Sequence, residues 1–265
     1  MTRCFQPARV LLVAVLLGLV SACTVSDRGQ REPGGVFDPY ERTNRGIHAF
    51  NRAADRALLR PASRGYVTIF PAPVVTSFSH FSDNLNEPGN VLNSILQGDA
   101  EQAGTALVRF LINTTIGFLG LADPATEFGI SEDETDFGET LYVWGVGEGA
   151  YIELPFLGAS TQRDSIGIVV DLFTNPISYA RNNPFDNIGV YAEIVQRLGD
   201  RGQFSDTVDS ILYESEDSYA QLRVIYLQNR RFELGSPAGD DSFADPYDDV
   251  YGDSSFDPYE DPYAE

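Results

Sequence analysis

The chain has 265 residues, and its 18 basic side chains, all Arg, face 39 acids for a formal charge of −21. With 43% apolar residues, that length builds one domain, or two at most. So acidic a chain lacks the basic footprint of a nucleic-acid binder and the polybasic stretch of an electrostatic membrane anchor.

The chain opens on an export address. Arg3 and Arg9 precede an apolar run from Val10 to Val20, eleven residues long, against the roughly 20 that span a bilayer. These are the n-region and h-region of a signal peptide occupying residues 1–22. The sequence Val20-Ser21-Ala22-Cys23 resembles a bacterial lipobox, in which the Cys23 thiol takes a diacylglyceryl group and the new amine an acyl chain. An ordinary secretory signal with an incidental Cys is the alternative. Acyl chains add about 0.8 kcal/mol per buried CH₂, so two or three anchor stably where one does not. Thr24 stands where an Asp favours inner-membrane retention, which resembles outer-membrane sorting. Cys4 leaves with the signal, so no disulfide and no thiolate metal ligand remains. Residues 23–36 read as a flexible linker, 37–234 as the folded domain.

Residues 28–64 carry eight Arg against four acids. Asp38-Pro39-Tyr40-Glu41 predicts a helix start with Asp38 as N-cap. The helix is expected to end near Leu59, before Arg60-Pro61. Thr43, Ile47, Phe50, Ala54, Ala57 and Leu58 share its apolar face; Arg42, Arg45, Arg52 and Arg56 lie opposite. This is either an ordinary surface helix or an interfacial one whose Arg face meets phosphates or an acidic partner. Residues 61–90 read as largely irregular, with a helical stretch near Val74–Phe81. Pro88 to Leu96 places Val91, Leu92, Ile95 and Leu96 on one helical face. Asp99, with Gln102 three on, predicts a capped helix whose apolar side is Ala103, Ala106, Leu107, Phe110 and Leu111. Ile112 to Ala122 is apolar enough to be either buried or lipid-facing.

Between residues 136 and 158, Gly145, Gly147, Gly149 and Gly158 interleave with Trp144, Tyr151 and Phe156. Leu141–Trp144 and Tyr151–Leu154 are expected to pair as a hairpin turning on Gly145–Gly149. The glycines do not form a phosphate loop: Pro155 blocks a following helix and no Gly-Lys-Ser/Thr follows. Asp164–Phe173, Gly189–Leu198 and Asp217–Phe232 read as helices. The last has Tyr219, Leu222, Ile225, Tyr226 and Leu227 on its apolar side. Residues 235–265 hold ten acids and no basic residue, a composition that stays disordered. Phe37-Asp38-Pro39-Tyr40-Glu41 recurs in this tail as Phe256-Asp257-Pro258-Tyr259-Glu260, through low-complexity drift or as a mimic of the first element.

Chemistry is sparse. The two His, His48 and His80, have no Cys or His at ligand spacing, so no metal site is recognised. No Gly-x-Ser-x-Gly elbow occurs. No catalytic residue, cofactor or nucleotide site is expected.

Several ordered fragments carry a resemblance. They include Asn44-Arg45, Phe50-Asn51, Arg60-Pro61, Asn84-Leu-x-Glu87-Pro88, Leu96-Gln-Gly98, Arg109-Phe-x-x-Asn113-Thr114, Trp144-Gly-Val-Gly147, Leu154-Pro155 and Arg163-Asp164. Over residues 37–233, behind a lipobox, this run resembles the MlaA (VacJ) family of outer-membrane lipoproteins. The resemblance implies a mainly α fold: a donut-like helical ring embedded in one membrane leaflet, with a short Gly-rich β-hairpin and, here, the disordered acidic tail. It implies removal of mislocalised phospholipid from the outer leaflet through an amphipathic channel, with a trimeric porin and a soluble periplasmic lipid carrier as partners. The protein would sit lipid-anchored on the periplasmic face of the outer membrane and would not be an enzyme. Gly145, Gly147, Gly149, Tyr151, Leu154, Phe156 and Gly158 are expected to form a channel-side gate. The rival readings are a non-transporting porin scaffold and a lipid-anchored phospholipase. Thr43, Ala150 and Ala159 depart from the family pattern, which has an aromatic at the first and often Pro at the other two.

Overall fold

A computed structural model describes residues 36–174 and 188–235. The signal peptide, Cys23, its linker up to residue 35 and the tail from 236 onward lie outside the described residues. Among the described residues the fold is mainly helical with one two-stranded hairpin.

Helix α1 (Glu41–Ala54) runs through a widened π turn (Asp55–Leu59) into α2 (Arg60–Ile69). The expected stop at Arg60-Pro61 does not occur. Pro61 has no N–H to donate and its ring crowds the carbonyl four residues back. The π turn, closed by Arg60 N–H to Asp55 O, resets the register just before it. Asp38 is not the N-cap either. Tyr40 holds that position without a side-chain bond, and Asp38 is engaged elsewhere.

Pro71 restricts Phe70 to extended backbone and ends α2. The expected irregular stretch is instead one 26-residue helix, α3 (Ala72–Gln97), which passes through Pro88 and stops at Gly98 in the left-handed conformation. Asp99 caps α4 (Ala100–Thr115) by accepting from Gln102 N–H, as its spacing predicts. An apolar turn then leads to α5 (Pro124–Glu127), an extended stretch, and α6 (Phe137–Val143).

The hairpin differs from its expected pairing. Leu141–Val143 belong to α6, because Asp136 accepts from Glu139 N–H and caps a helix there. Strand β1 (Tyr151–Leu154) pairs antiparallel with β2 (Gly158–Thr161), Tyr151 opposite Thr161. The turn is therefore Pro155-Phe156-Leu157, with Phe156 at φ 65. The chain closes with α7 (Gln162–Thr174), α8 (Ile188–Gln203), α9 (Ser205–Asp209), a second π turn (Ser210–Glu214) and α10 (Ser218–Glu233), capped by Asp217.

Helix α3 packs against α4 and α8, α2 against α8, α6 against α7, α1 against β1 and α10 against β2. Gly202 lets α8 approach α2 closely, since a Cβ there would sit 2.4 Å from Val67 Cγ1. Tyr151, Tyr219 and Leu227 form a small buried apolar cluster with ring contacts at 5.8 Å. Most other large buried side chains are polar.

Candidate functional site

The amphipathic helices are present, and several of them turn polar residues inward and large apolar ones outward. Along α1 and the π turn after it the buried stripe is Asn44, His48 and Asp55, while Phe50 and Leu58 point outward, Leu58 with 65% exposure. On α4, Arg109 and Asn113 lie inside with Ala103 and Ala106; Leu107 and Leu111 lie outside. Ile95 and Leu96 of α3 and Ile225 of α10 also face out. The apolar run after α4 settles as an outward tip, where Phe118 is 79% exposed and Leu119 66%. Both adopt positive φ, a conformation bulky side chains avoid.

Three polar networks tie the interior. At the first, Arg109 Nε donates to Glu87 Oε1 at 2.8 Å, Nη1 to Ile130 O at 2.6 Å and Nη2 to Asp123 Oδ2 at 3.1 Å. Asn113 donates to Asp123 Oδ1 and accepts from Ala125 N–H. Burial opposes the Asp123 charge, but bonds from Thr126 and Asn113 outweigh it and hold the carboxyl down at about 2. Asn84 donates to Thr114 Oγ1 beneath Gly120.

At the second, α1, β1 and α10 meet. Asn44 donates to Asp38 Oδ1 and Tyr151 O and accepts from Glu153 N–H. Asp38 also accepts from Tyr219 OH and from Arg223 Nη1 at 2.7 Å. His48 lies between Glu153 (Nδ1 to Oε1, 3.2 Å) and Ser218 (Nε2 to Oγ, 2.9 Å). That order matches an acyl-transfer relay, a pairing the sequence did not reveal. Yet Ser218 is buried, and Asp217 already accepts from the Ala220 N–H at the start of α10. The arrangement clamps three elements together. Arg45 reaches Asp217 with both terminal nitrogens and Glu41 with Nε; the Arg45 bond is the main cause holding Asp217 down at about 2.

At the third, Asp209 accepts from Arg60, Arg64 and Arg201, and Arg201 also grips Asp55 at 2.8 and 2.9 Å. A fourth, smaller group joins Arg163, Asp164, Tyr226 and Arg230. Asn44, Arg45, Asn84, Arg109, Asn113 and Arg163 are thus distributed among separate networks rather than gathered at one site. Among their partners, Asp38, His48 and Glu87 already stand out in the sequence; Asp123, Glu153, Arg201 and Asp209 do not, and no local signal marks them as partners.

The expected gate residues divide. Tyr151 is 1% exposed and roots the hairpin in the core, so it lines no open path. Phe156 is exposed at the tip and meets Phe50 edge-on at 5.1 Å. Asn51 holds the tip by donating to Leu154 O and accepting from Phe156 N–H. Gly145 and Gly149 take positive φ in the loop between α6 and β1, not in the hairpin turn, and Gly158 does so at the start of β2.

Among the described residues, Asp83, Glu132 and Glu134 bring one carboxylate oxygen each within 4.8 Å of one another. Two of the three are exposed, and Asp83 already accepts from Gln196 Nε2 at 2.6 Å. The crowding has an electrostatic effect: burial first, then Glu132, pushes the Asp83 carboxyl up to about 7.

A family model described as MlaA lipoprotein matches residues 36–233. The intermembrane phospholipid transport system lipoprotein MlaA of Escherichia coli (strain K12) is 33% identical over 230 residues, 84% of this chain and 88% of that protein. An uncharacterized protein of Rickettsia typhi is 34% identical over 212 residues, covering 79% of this chain and 83% of that protein. A solved structure described as "Structural basis for maintenance of bacterial outer membrane lipid asymmetry" superposes with a TM-score of 0.65 at 31% identity, covering 74% of this chain and 98% of the other.

Proposed function

Because the chain belongs to the MlaA lipoprotein family, we propose that it is an outer-membrane lipoprotein that removes mislocalised phospholipid from the outer leaflet. The observation that carries this reading is the inverted surface. Ile69, Phe118, Leu119 and Phe232 are 66–84% exposed while Arg109, Glu87 and Asn113 are buried. Water penalises that distribution; a lipid leaflet accepts it, provided the polar groups are satisfied inside. Among the described residues no helix is long and apolar enough to cross a membrane, which suits a helical ring lying within one leaflet.

In this reading Cys23 carries the acyl anchor on the periplasmic face, and the ring encloses an amphipathic channel. A trimeric porin holds the protein, and a soluble periplasmic carrier receives the lipid. The Gly145-x-Gly147-x-Gly149 loop lets the hairpin rock about its Tyr151 root, with Gly158 easing the return, so that Leu154 and Phe156 move beside the lipid path. Deleting the gene should raise outer-leaflet phospholipid; the wild-type gene should restore asymmetry and Cys23→Ala should not. Normal asymmetry after deletion, with porin still co-purifying, would leave only a scaffold, and phospholipid hydrolysis by the purified protein would point to a phospholipase. Gly145→Ala with Gly149→Ala should alter surface phospholipid; unchanged asymmetry in that variant removes the gate.

A further inference from the structure

The described Arg residues are almost all neutralised. Carboxylate ion pairs hold ten of them. Arg42, Arg52 and Arg56 have no carboxylate partner among the described residues. In a chain with 39 acids, such a gap does not reflect a shortage of acids.

Arg52 and Arg56 stand one turn apart on the same face of one helical rod, where like charges repel. Both are drawn together over one aromatic ring. Their guanidinium carbons lie 5.4 and 4.8 Å from the centroid of Tyr213, with Arg60 at 5.0 Å. The Tyr213 hydroxyl donates to Asp55 at 2.7 Å, which fixes the ring. The acids nearest this cluster are already engaged: Asp55 by Arg201, and Asp209 by Arg60, Arg64 and Arg201. A cleft of about 410 Å³ opens beside the pair, lined by His48, Ala49, Arg52, Ala53 and Arg56. Its walls are two guanidiniums, two methyl groups and the His48 imidazole. On the same helical rod, Phe50 and Leu58 project outward as apolar surface.

We propose that Arg52 of α1 and Arg56 of the π turn after it form a phosphate-recognition site that grips the phosphodiester of a phospholipid headgroup entering this cleft while its acyl chains stay against the apolar exterior. Planar guanidinium forks match phosphate oxygens in pairs, and a bound anion relieves the repulsion between the two Arg. The site rests on the transport reading and adds to it the part of the lipid that is recognised and the residues that recognise it.

Titration calorimetry on the purified full-length protein in a non-ionic detergent tests it, with dihexanoyl phosphatidylglycerol as one probe and inorganic phosphate as the other. Arg52→Gln/Arg56→Gln should weaken the short-chain lipid by tenfold or more, about the value of a charge-assisted hydrogen bond. Arg42→Gln, on the same helix but away from the cleft, should leave binding unchanged. Arg56 is exposed, so Arg56→Gln alone carries the test if the double variant does not fold. Equal binding in wild type and double variant overturns the site, as does an equal loss in Arg42→Gln. Inorganic phosphate binding as tightly as the lipid would assign the site to free phosphate. If removing residues 235–265 raised lipid affinity tenfold, the acidic tail would be the resident occupant and the assignment would fall. Surface phospholipid in cells separates the two readings. Restored asymmetry with calorimetry unchanged by the substitutions sinks the site alone; headgroup binding with no effect of deletion on asymmetry sinks transport alone.

Discussion

Arg109→Met is the sharpest perturbation of the inverted interior. The Arg109 side chain is 2% exposed and so is its partner Glu87. Methionine preserves much of the apolar stem but removes donors to Glu87, Thr126, Ile130 and Asp123 together. Breaking a buried pair from one side costs about 3–5 kcal/mol, because the charge left behind has no partner. Two features place the expected loss at the low end, near 3 kcal/mol. Burial already pushes the Glu87 carboxyl up, so it can shed its charge by taking a proton. Asp123 keeps Asn113 and Thr126 as donors. Glu87→Gln alone should cost about 1–2 kcal/mol, since Arg109 retains Asp123 and Ile130 O. The double variant should then be at least ~1 kcal/mol less destabilised than the two single losses combined. Urea unfolding of the detergent-solubilised chain, followed by far-UV circular dichroism, measures all three. A loss below about 1 kcal/mol for Arg109→Met, the value of an exposed pair, or simple additivity, would refute the reasoning.

Asp83 predicts a pH dependence. Burial and Glu132 push its carboxyl up to about 7 in the folded chain, from an ordinary 3.8, so the folded state holds the proton longer and stability falls as pH rises between those values. Asp83→Asn should flatten that fall and, discounted for partial exposure, add about 1–2 kcal/mol at mildly alkaline pH; parallel pH profiles for the two proteins would contradict this. Gly120 sits at φ +92 with a would-be Cβ 2.5 Å from Asn84 Cβ. Gly120→Ala should therefore cost about 1–3 kcal/mol, while Gly46→Ala in α1, where nothing lies within 4 Å, should be neutral or stabilise by up to ~1 kcal/mol. Phe118→Asp with Leu119→Asp should lower vesicle flotation of unlipidated Cys23→Ala protein about tenfold or more without changing its circular dichroism, and unaltered flotation would remove the tip from the membrane surface.

Local signals in the sequence were reliable where the physics is local. Asp99 with Gln102 predicted a real cap, because both partners lie within one turn. The sequence misled where a neighbour could compensate. Pro61 reads as a stop, yet the π turn ahead of it absorbs the missing donor. Leu141–Trp144 reads as a strand from its apolar and aromatic run, yet Asp136 outside that run caps it as a helix. The candidate site was least legible. Asn44 reaches Tyr151 O across 107 residues and Arg201 reaches Asp55 across 146. Motif resemblance marked Asn44, Glu87 and Arg109, but no local pattern shows that Arg109 also meets Asp123 or that Asn44 meets Glu153.

The facing of the helices has one physical origin. Apolar periodicity identifies a stripe; which way the stripe turns depends on the solvent. In water the Phe50–Leu58 face of α1 would seek a core, but in a lipid leaflet apolar contact outside is as good as apolar contact inside. The hydrophobic effect then no longer selects one packing, and directional polar bonds take over that task. That explains why Arg109, Asn44 and Arg201 each bind groups on two separate segments. It also bears on transport. A phospholipid moving past an interior whose charges are paired meets few fixed charges that would trap its phosphate. Unpaired guanidiniums are then the groups that set where the headgroup pauses, which is why Arg52 and Arg56 matter more than the net charge of −21.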